Sequence, residues 1–404
     1  MQTELADFIR DTPEGREADA ILRKCVHCGF CNATCPTYQL LGDELDGPRG
    51  RIYLIKQVLE GVAPTARTRL HLDRCLTCRA CETTCPSGVQ YGRLADIGRG
   101  IVEEKVGRGA WERARNAVLA AVLPKRFLFE MALQAGRIAR PVLPKFLKEK
   151  IPPAAGAAGS WPAPRHKRRM LVLAGCVQPA LAPAINAAAA RVLDRAGISL
   201  VEAPGAGCCG ALRFHLNDQA AGRDDMRALI DAWWPMVERG EVEAIVMTAS
   251  GCGSFVKEFD HHFHDDPAYR DKAAKISALT KDLSEVVPEA SATGKPRRQR
   301  IAFQSPCSLQ HGQQLRGRIE SLLQNAGYEL TPVADAHLCC GSAGTYSILQ
   351  PQLSDRLRER KLAALCADGP HGGPECIATA NIGCLTHLQG GTPIPVRHWI
   401  ELLE

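Results

Sequence analysis

Cys25-Val-His-Cys28-Gly-Phe-Cys31-Asn-Ala-Thr-Cys35-Pro36 and, fifty residues later, Cys75-Leu-Thr-Cys78-Arg-Ala-Cys81-Glu-Thr-Thr-Cys85-Pro86 spell one pattern twice. Each copy is C-x2-C-x2-C-x3-C-P. In this spacing three thiolates on one tight loop hold three irons of a 4Fe-4S cube, and the fourth Cys, followed by Pro, turns away to the other cluster. Two copies predict two clusters with exchanged ligands: Cys25, Cys28, Cys31 and Cys85 around one, Cys75, Cys78, Cys81 and Cys35 around the other. A disulfide framework belongs to short secreted chains. Zinc sites read as pairs of CxxC across a longer loop, without the third Cys and the C-P seen here.

The rest of the chain bounds the setting. Its 404 residues suggest two or three domains, each with its own core. Eighteen Cys in a chain of this length exceed what packing alone would use. The acidic start M-Q-T-E-L-A-D-F-I-R-D lacks the basic and apolar regions of a signal peptide, and no run of eighteen apolar residues suggests a membrane span. A reducing, cytoplasmic setting is expected. Net charge is +6, unevenly spread: residues 105–169 carry fifteen Lys or Arg against three Glu. Such a band favours an acidic partner or an anionic surface.

Outward from the two motifs, Ala18, Ile21 and Leu22 share a face of a helical lead-in. Cys35 and Cys75 are separated by 39 residues that contain G-D-E-L-D-G-P-R-G-R-I-Y-L, with Pro48 at the first turn of a helix running to Gly61. Arg49, Arg51 and Lys56 on it are candidates to balance anionic clusters, against the plainer reading of a solvated face. Leu94, Ile97 and Ile101 predict a helix closing a helical ferredoxin domain over 1–107. Residues 108–169 read as a basic amphipathic helical segment over 108–150, with Leu128, Met131, Ala135 and Ile138 on one face, and a Pro/Ala/Gly linker over 151–164 that ends in R-H-K-R-R.

The remainder is an internal repeat over 170–290 and 291–404. Cys176 precedes Cys208-Cys209-Gly210 by 31 residues, and 42 separate Cys209 from Cys252; Cys307 precedes Cys339-Cys340-Gly341 by 31, and 43 separate Cys340 from Cys384. In each half, apolar strands run straight into Cys-bearing turns, with helices between them. This predicts a duplicated α/β domain with parallel sheets, so the chain as a whole is α + α/β. Ligands in such sheets gather beyond the carboxyl ends of the strands. Each Cys quartet (Cys176, Cys208, Cys209, Cys252 and Cys307, Cys339, Cys340, Cys384) should therefore converge and hold iron-sulfur or zinc, or act as a redox dithiol. Adjacent Cys side chains diverge along an extended chain, so a bend at Gly210 and Gly341 is needed to turn both inward.

Other features read more plainly. Gly205-Ala-Gly207-Cys-Cys-Gly210 matches G-x-G-x-x-G after a strand, but its counterpart in the second half lacks the pattern, so no dinucleotide site is assigned. His261, His262 and His264 are expected on a mobile polar loop, and Trp233-Trp234 in a helix core. No nucleophile-and-base arrangement and no nucleic-acid site are assigned. What remains is a set of one-electron centres, which need a flavin elsewhere to meet a two-electron substrate.

The paired motifs, the G-D-E-L-D-G-P-R-G-R-I-Y-L spacer, and the stretches T-A-S-G-C-G-S-F-V-K-E, H-L-C-C-G-S-A-G-T-Y, T-A-N-I-G-C and V-R-H-W-I-E together resemble the iron-sulfur subunits of bacterial glycolate oxidase, over essentially the whole length. That resemblance implies electron transfer from two homologous flavin-binding subunits, which carry the FAD and oxidise glycolate to glyoxylate, towards membrane quinone. It also implies a peripheral position on the cytoplasmic face of the inner membrane. Lactate and glycerol-3-phosphate complexes use related subunits. The Cys-Cys-Gly (CCG) repeats are also similar to heterodisulfide reductase subunits, whose last motif is commonly C-x-x-C. Here Phe255 and His387 stand at that final position, which leaves the non-cubane cluster of that family without its fifth Cys; His387 is a candidate substitute, and thiol-disulfide chemistry is the alternative function.

Overall fold

Helix formation in the first hundred residues follows the caps and apolar spacing. Thr12 accepts a hydrogen bond from Gly15 N–H and Pro13 starts helix Pro13–Lys24, which buries Ala18, Ile21 and Leu22. Pro48 starts helix Pro48–Leu59 in the same way. The third long helix, Tyr91–Val106, buries Leu94, Ala95 and Val102 and packs against Ile52, Ile55, Val58 and Leu59. Gly98 permits the close crossing: a Cβ there would lie 2.6 Å from Ile55 Cγ1. Each fully buried aliphatic side chain in this core contributes about 1.5–3 kcal/mol.

The computed structural model describes residues 1–142, 151–152, 156–292, 297, 299–369 and 372–404. Part of the expected linker (153–155) and Lys145, Lys148 and Lys150 of the basic band lie outside the described residues. The amphipathic segment forms helices Ala110–Val122 and Arg126–Ala139. Leu133 of the second is buried, while Phe127 (70%), Met131 (55%) and Ile138 (80%) stay exposed. The run Arg165 to Arg169 is not free linker charge. Arg165 and His166 pair with Asp194, Arg168 pairs with Glu243, and the run continues into the first strand.

The two halves of the remainder repeat one topology. In the first, β1 (Arg168–Val172), β2 (Ile198–Val201), β3 (Ile245–Met247) and β4 (Thr280–Asp282) form a parallel sheet in the order β2-β1-β3-β4. In the second, β5 (Arg300–Gln304), β6 (Glu329–Leu330), β7 (Cys376–Thr379) and β8 (Val396–His398) take the order β6-β5-β7-β8. The apolar runs in β1, β3, β5 and β7 account for these strands, because central parallel strands are covered on both faces. The short edge strands β4 and β8, each with a polar central residue, gave no such signal. One core spans both halves: Val172, Ile185 and Val246 from the first join Ile301, Ile319 and Trp399 from the second. His398 ties the halves at depth. Its Nδ1 accepts from Ile400 N–H and its Nε2 donates to Thr248 O at 2.9 Å, so the neutral ring satisfies both partners.

Candidate metal centres

The two C-x2-C-x2-C loops share one backbone. His27 and Gly29 in the first, Thr77 and Arg79 in the second, all have φ between 52° and 87°. Left-handed residues other than Gly are costly and cluster where a loop must wrap something. Arg79 is held in this conformation by ion pairs to Glu82 at 2.9 Å and Glu258 at 2.5 Å. Cys25, Cys28, Cys31 and Cys85 form one electrostatic group, and burial with the Cys25 charge pushes the Cys31 thiol up to about 11. Cys81 lies among Cys75, Cys78 and Cys35, its thiol pushed up by burial and by those neighbours. The fourth Cys of each motif thus sits with the other motif's three.

The surroundings of the second group come from the spacer. Arg51, 1% exposed, directs Nη1 to Cys35 Sγ at 3.9 Å, Nη2 to Thr37 Oγ1 at 3.1 Å and Nε to His71 O at 2.7 Å. The Thr37 hydroxyl lies 3.3 Å from Cys35 Sγ. Asp46, fully buried, faces Arg51 at 3.5 Å, Arg74 at 2.8 Å and His71 at 3.1 Å. Asp43 lies beside Asp46 and His71, but Asp46 is already paired with two guanidiniums, so this trio is an ion-pair network. Arg99 donates to Cys75 O at 2.5 Å and to Leu72 O. Arg49 pairs with Glu44 beside the first group, whereas Lys56 pairs with Glu60 away from both. The three basic residues singled out on the spacer helix therefore have three different settings. Asp46, Thr37 and Arg99 carried no separate sequence signal; G-D-E-L-D-G-P-R-G-R contained the first.

In the repeats, Cys176 and Cys252 follow β1 and β3, and Cys307 and Cys384 follow β5 and β7, beyond the carboxyl ends of the strands. Gly210 (φ 86°) and Gly341 (φ 90°) bend the Cys-Cys pairs inward. Their tight packing excludes a side chain: a Cβ would lie 2.5 Å from Gly222 O or Ser354 O. Gly210 is thus a packing glycine. The thiols form a chain of contacts in each half, Cys176 to Cys208 to Cys209 to Cys252 and Cys307 to Cys339 to Cys340 to Cys384. The Cys208 thiol, between Cys176 and Cys209, is pushed down by their hydrogen bonds. All cysteines are free.

All eight of these Cys, with Cys75 and Cys78, line one cleft of about 2180 Å³ roofed by the ferredoxin domain. Around the first quartet stand Arg213, held by Asp225 at 3.0 Å, and Asp225 itself, pushed up to about 6 by burial and the Cys208 charge. Around the second stand Lys361, whose Nζ donates to Asp335 O and Ala336 O, and Tyr346, whose hydroxyl donates to Arg74 O at 3.2 Å. His387 directs Nε2 to Ser354 Oγ at 3.2 Å. The expected mobile histidine loop is instead packed structure. His262 lies 4.8 Å from the Phe214 ring and 5.0 Å from Phe255, and burial brings it down to about 3. The signal was Phe255, Phe259 and Phe263 at helical spacing around it.

Residues 21–89 match the 4Fe-4S dicluster domain family, and residues 170–257 and 301–389 match the cysteine-rich CCG domain family. The chain is 54% identical to the glycolate oxidase iron-sulfur subunit of Escherichia coli (strain K12), covering 100% of this chain and 98% of that protein. The chain belongs to the glycolate oxidase iron-sulfur subunit family. A Bacillus subtilis (strain 168) protein named as a probable glycolate oxidase iron-sulfur subunit is 32% identical over 92% of this chain and 89% of its own. Lactate utilization protein A of an Exiguobacterium species is 25% identical over 57% of this chain and 94% of its own. Family membership fits the helical dicluster region followed by two CCG domains, each on a four-stranded parallel sheet. Among the described residues no helix is long and apolar enough to cross a membrane.

Proposed function

We propose that this chain is the electron-transfer subunit of a flavin-dependent glycolate dehydrogenase, passing electrons from two homologous flavin-binding partners to a membrane quinone or another acceptor. The observation that carries this reading is the crossing of Cys85 and Cys35 between two strained loops, within a chain 54% identical throughout to a glycolate oxidase iron-sulfur subunit. The two thiol groups would hold 4Fe-4S clusters, Cys25, Cys28, Cys31 and Cys85 one, Cys75, Cys78, Cys81 and Cys35 the other. Each CCG quartet would hold a further iron-sulfur group. When bound, these groups supply one-electron storage at potentials set by charge and by hydrogen bonds to sulfur.

The chain's own residues position and tune. The left-handed loops gather three thiols of each group. Arg51 directs a guanidinium at Cys35 Sγ, and Thr77 N–H lies 3.4 Å from Cys75 Sγ. Gly341 N–H does the same for Cys339 Sγ at 3.4 Å. The exposed face of Phe127, Met131 and Ile138 beside Arg126 and Arg137 supports a peripheral position against a partner or the membrane. Anaerobic co-purification tests the reading: two flavoproteins should come down with the chain and reduce a dye with glycolate. Dye reduction with lactate or glycerol-3-phosphate alone overturns the glycolate assignment. Thiol release from a disulfide by the isolated chain would favour the heterodisulfide-reductase-like alternative.

A further inference from the structure

The ferredoxin domain does not treat the two CCG quartets alike. The Cys307 thiol lies within hydrogen-bond reach of both Cys339 and Cys78, so a thiol of the second ferredoxin motif meets a thiol of the second repeat. Leu76, Cys78, Cys307, Cys339 and Tyr346 pack in one apolar cluster, and Thr83 Oγ1 lies 2.9 Å from His311 Nδ1 at the same seam. The charges that act on Cys176 are those of Cys208 and Cys252, both from its own repeat. Ser308, beside Cys307, meets Ser250 two residues before Cys252 at 2.8 Å, and the contact that reaches a quartet sulfur is that of Asn381. Its Nδ2 lies 3.6 Å from Cys384 Sγ, and its Oδ1 accepts from Gly251 N–H, next to Cys252, at 3.2 Å.

We infer that the four sites are wired in one order: the Cys25 group, the Cys75 group, the second repeat through the Cys78–Cys307 contact, and last the first repeat through Asn381. This rests on the proposed iron-sulfur reading of each site. Electrons enter where Cys28 is exposed, flanked by exposed Val26 and Phe30. They leave at the first repeat, where Cys176 and Cys252 are only half buried against the cleft. The first step is downhill for a physical reason. Positive charge and donors at a ligand sulfur stabilise the reduced, more negative state, and the buried Arg51 acts on Cys35 of the second group. At each transfer the donor site loses one electron and the acceptor site gains it, with no bond made or broken; a reduced flavin on the partner supplies the electrons.

Electron paramagnetic resonance (EPR) on the full, anaerobically reconstituted chain tests the order. In the dithionite-reduced wild type, the ferredoxin-domain signal should relax rapidly because a paramagnetic neighbour sits across the Cys78–Cys307 contact. Cys307→Ser should slow that relaxation several-fold, while Cys176→Ser leaves it unchanged. Should Cys307→Ser not fold, Cys339→Ala against Cys208→Ala reads the same contrast. Asn381→Ala should weaken coupling to the first repeat and spare the ferredoxin relaxation. Arg51→Gln should lower the potential of one ferredoxin signal and not the other. Equal effects from the two repeats, or none from either, including because the second repeat holds zinc, overturn the order while leaving the two-cluster reading intact. Absence of 4Fe-4S signals in the wild type would instead overturn that reading.

Discussion

The two CCG quartets are built by the same backbone and live in different surroundings. Each takes one Cys from the end of a central strand, two from a Cys-Cys-Gly bend and one from a second strand end. Around the first, the neighbours are Arg213, Asp225 and an open cleft, and Cys176 and Cys252 remain partly accessible. Around the second, Lys361, Tyr346 and Cys78 close in, and all four thiols are buried. Duplication copies what is local in the chain, namely strand, bend and spacing. What faces the site from other elements is free to diverge, and here it divides a more buried centre from a more accessible one.

The largest test of the shared backbone is Gly210→Ala against Gly341→Ala. Each puts a Cβ within 2.5 Å of a carbonyl oxygen at φ near 90°, so each should cost about 2–4 kcal/mol in denaturant unfolding and strip iron from its own quartet. A loss at one position only would break the symmetry argument.

The join between the halves is next. His398 is fully buried and its imidazole is held down to about 4 by burial; free in the unfolded chain it titrates near 6.5. The unfolded state therefore binds the extra proton first, and stability should fall as pH drops from about 6.5 to 4, by on the order of 3 kcal/mol. Urea midpoints across that window in wild type and His398→Gln check this; an equally steep slope in the variant removes His398 as the cause.

Smaller effects sharpen the contrast of surroundings. Lys361→Met removes the largely buried ammonium that donates to Asp335 O and Ala336 O, which keep only Leu338 N–H and the Gln310 amide as donors, and should cost about 1–3 kcal/mol. Arg213→Met, at a partly exposed ion pair, should cost under about 1 kcal/mol. Thermal unfolding of both variants decides, and a larger loss from Arg213 would reverse the ranking. In metal-free reduced protein, a maleimide should label Cys176 and Cys252 several-fold faster than Cys307 and Cys384, as read by peptide mass spectrometry; equal rates would deny the difference in access.

Much of this was legible because it was local. Ligand spacing, the shared face of Ala18, Ile21 and Leu22, Pro48 at a helix start and the alternation of β1, β3, β5 and β7 with helices are properties of short stretches, and the fold follows them. The CCG convergence was legible because parallel strands end on one side. Hidden were contacts between distant segments: Asp46 gathering Arg51, His71 and Arg74, Cys78 meeting Cys307, Asn381 spanning the halves. Burial was hidden too. His262 looked polar in sequence, and only packing against Phe214 and Phe255 makes it part of a wall. The apolar face of helix Arg126–Ala139 was visible in the periodicity, but its exposure was not.

The most direct test of the crossed clusters is EPR of four single variants, with iron and sulfide counted in each. The intact ferredoxin domain should contribute about eight irons and two resolvable reduced signals. Cys85→Ala should disturb the same signal as Cys28→Ala, and Cys35→Ala the same signal as Cys75→Ala. If Cys85→Ala instead pairs with Cys75→Ala, each motif closes on its own cluster and the crossed assignment is wrong.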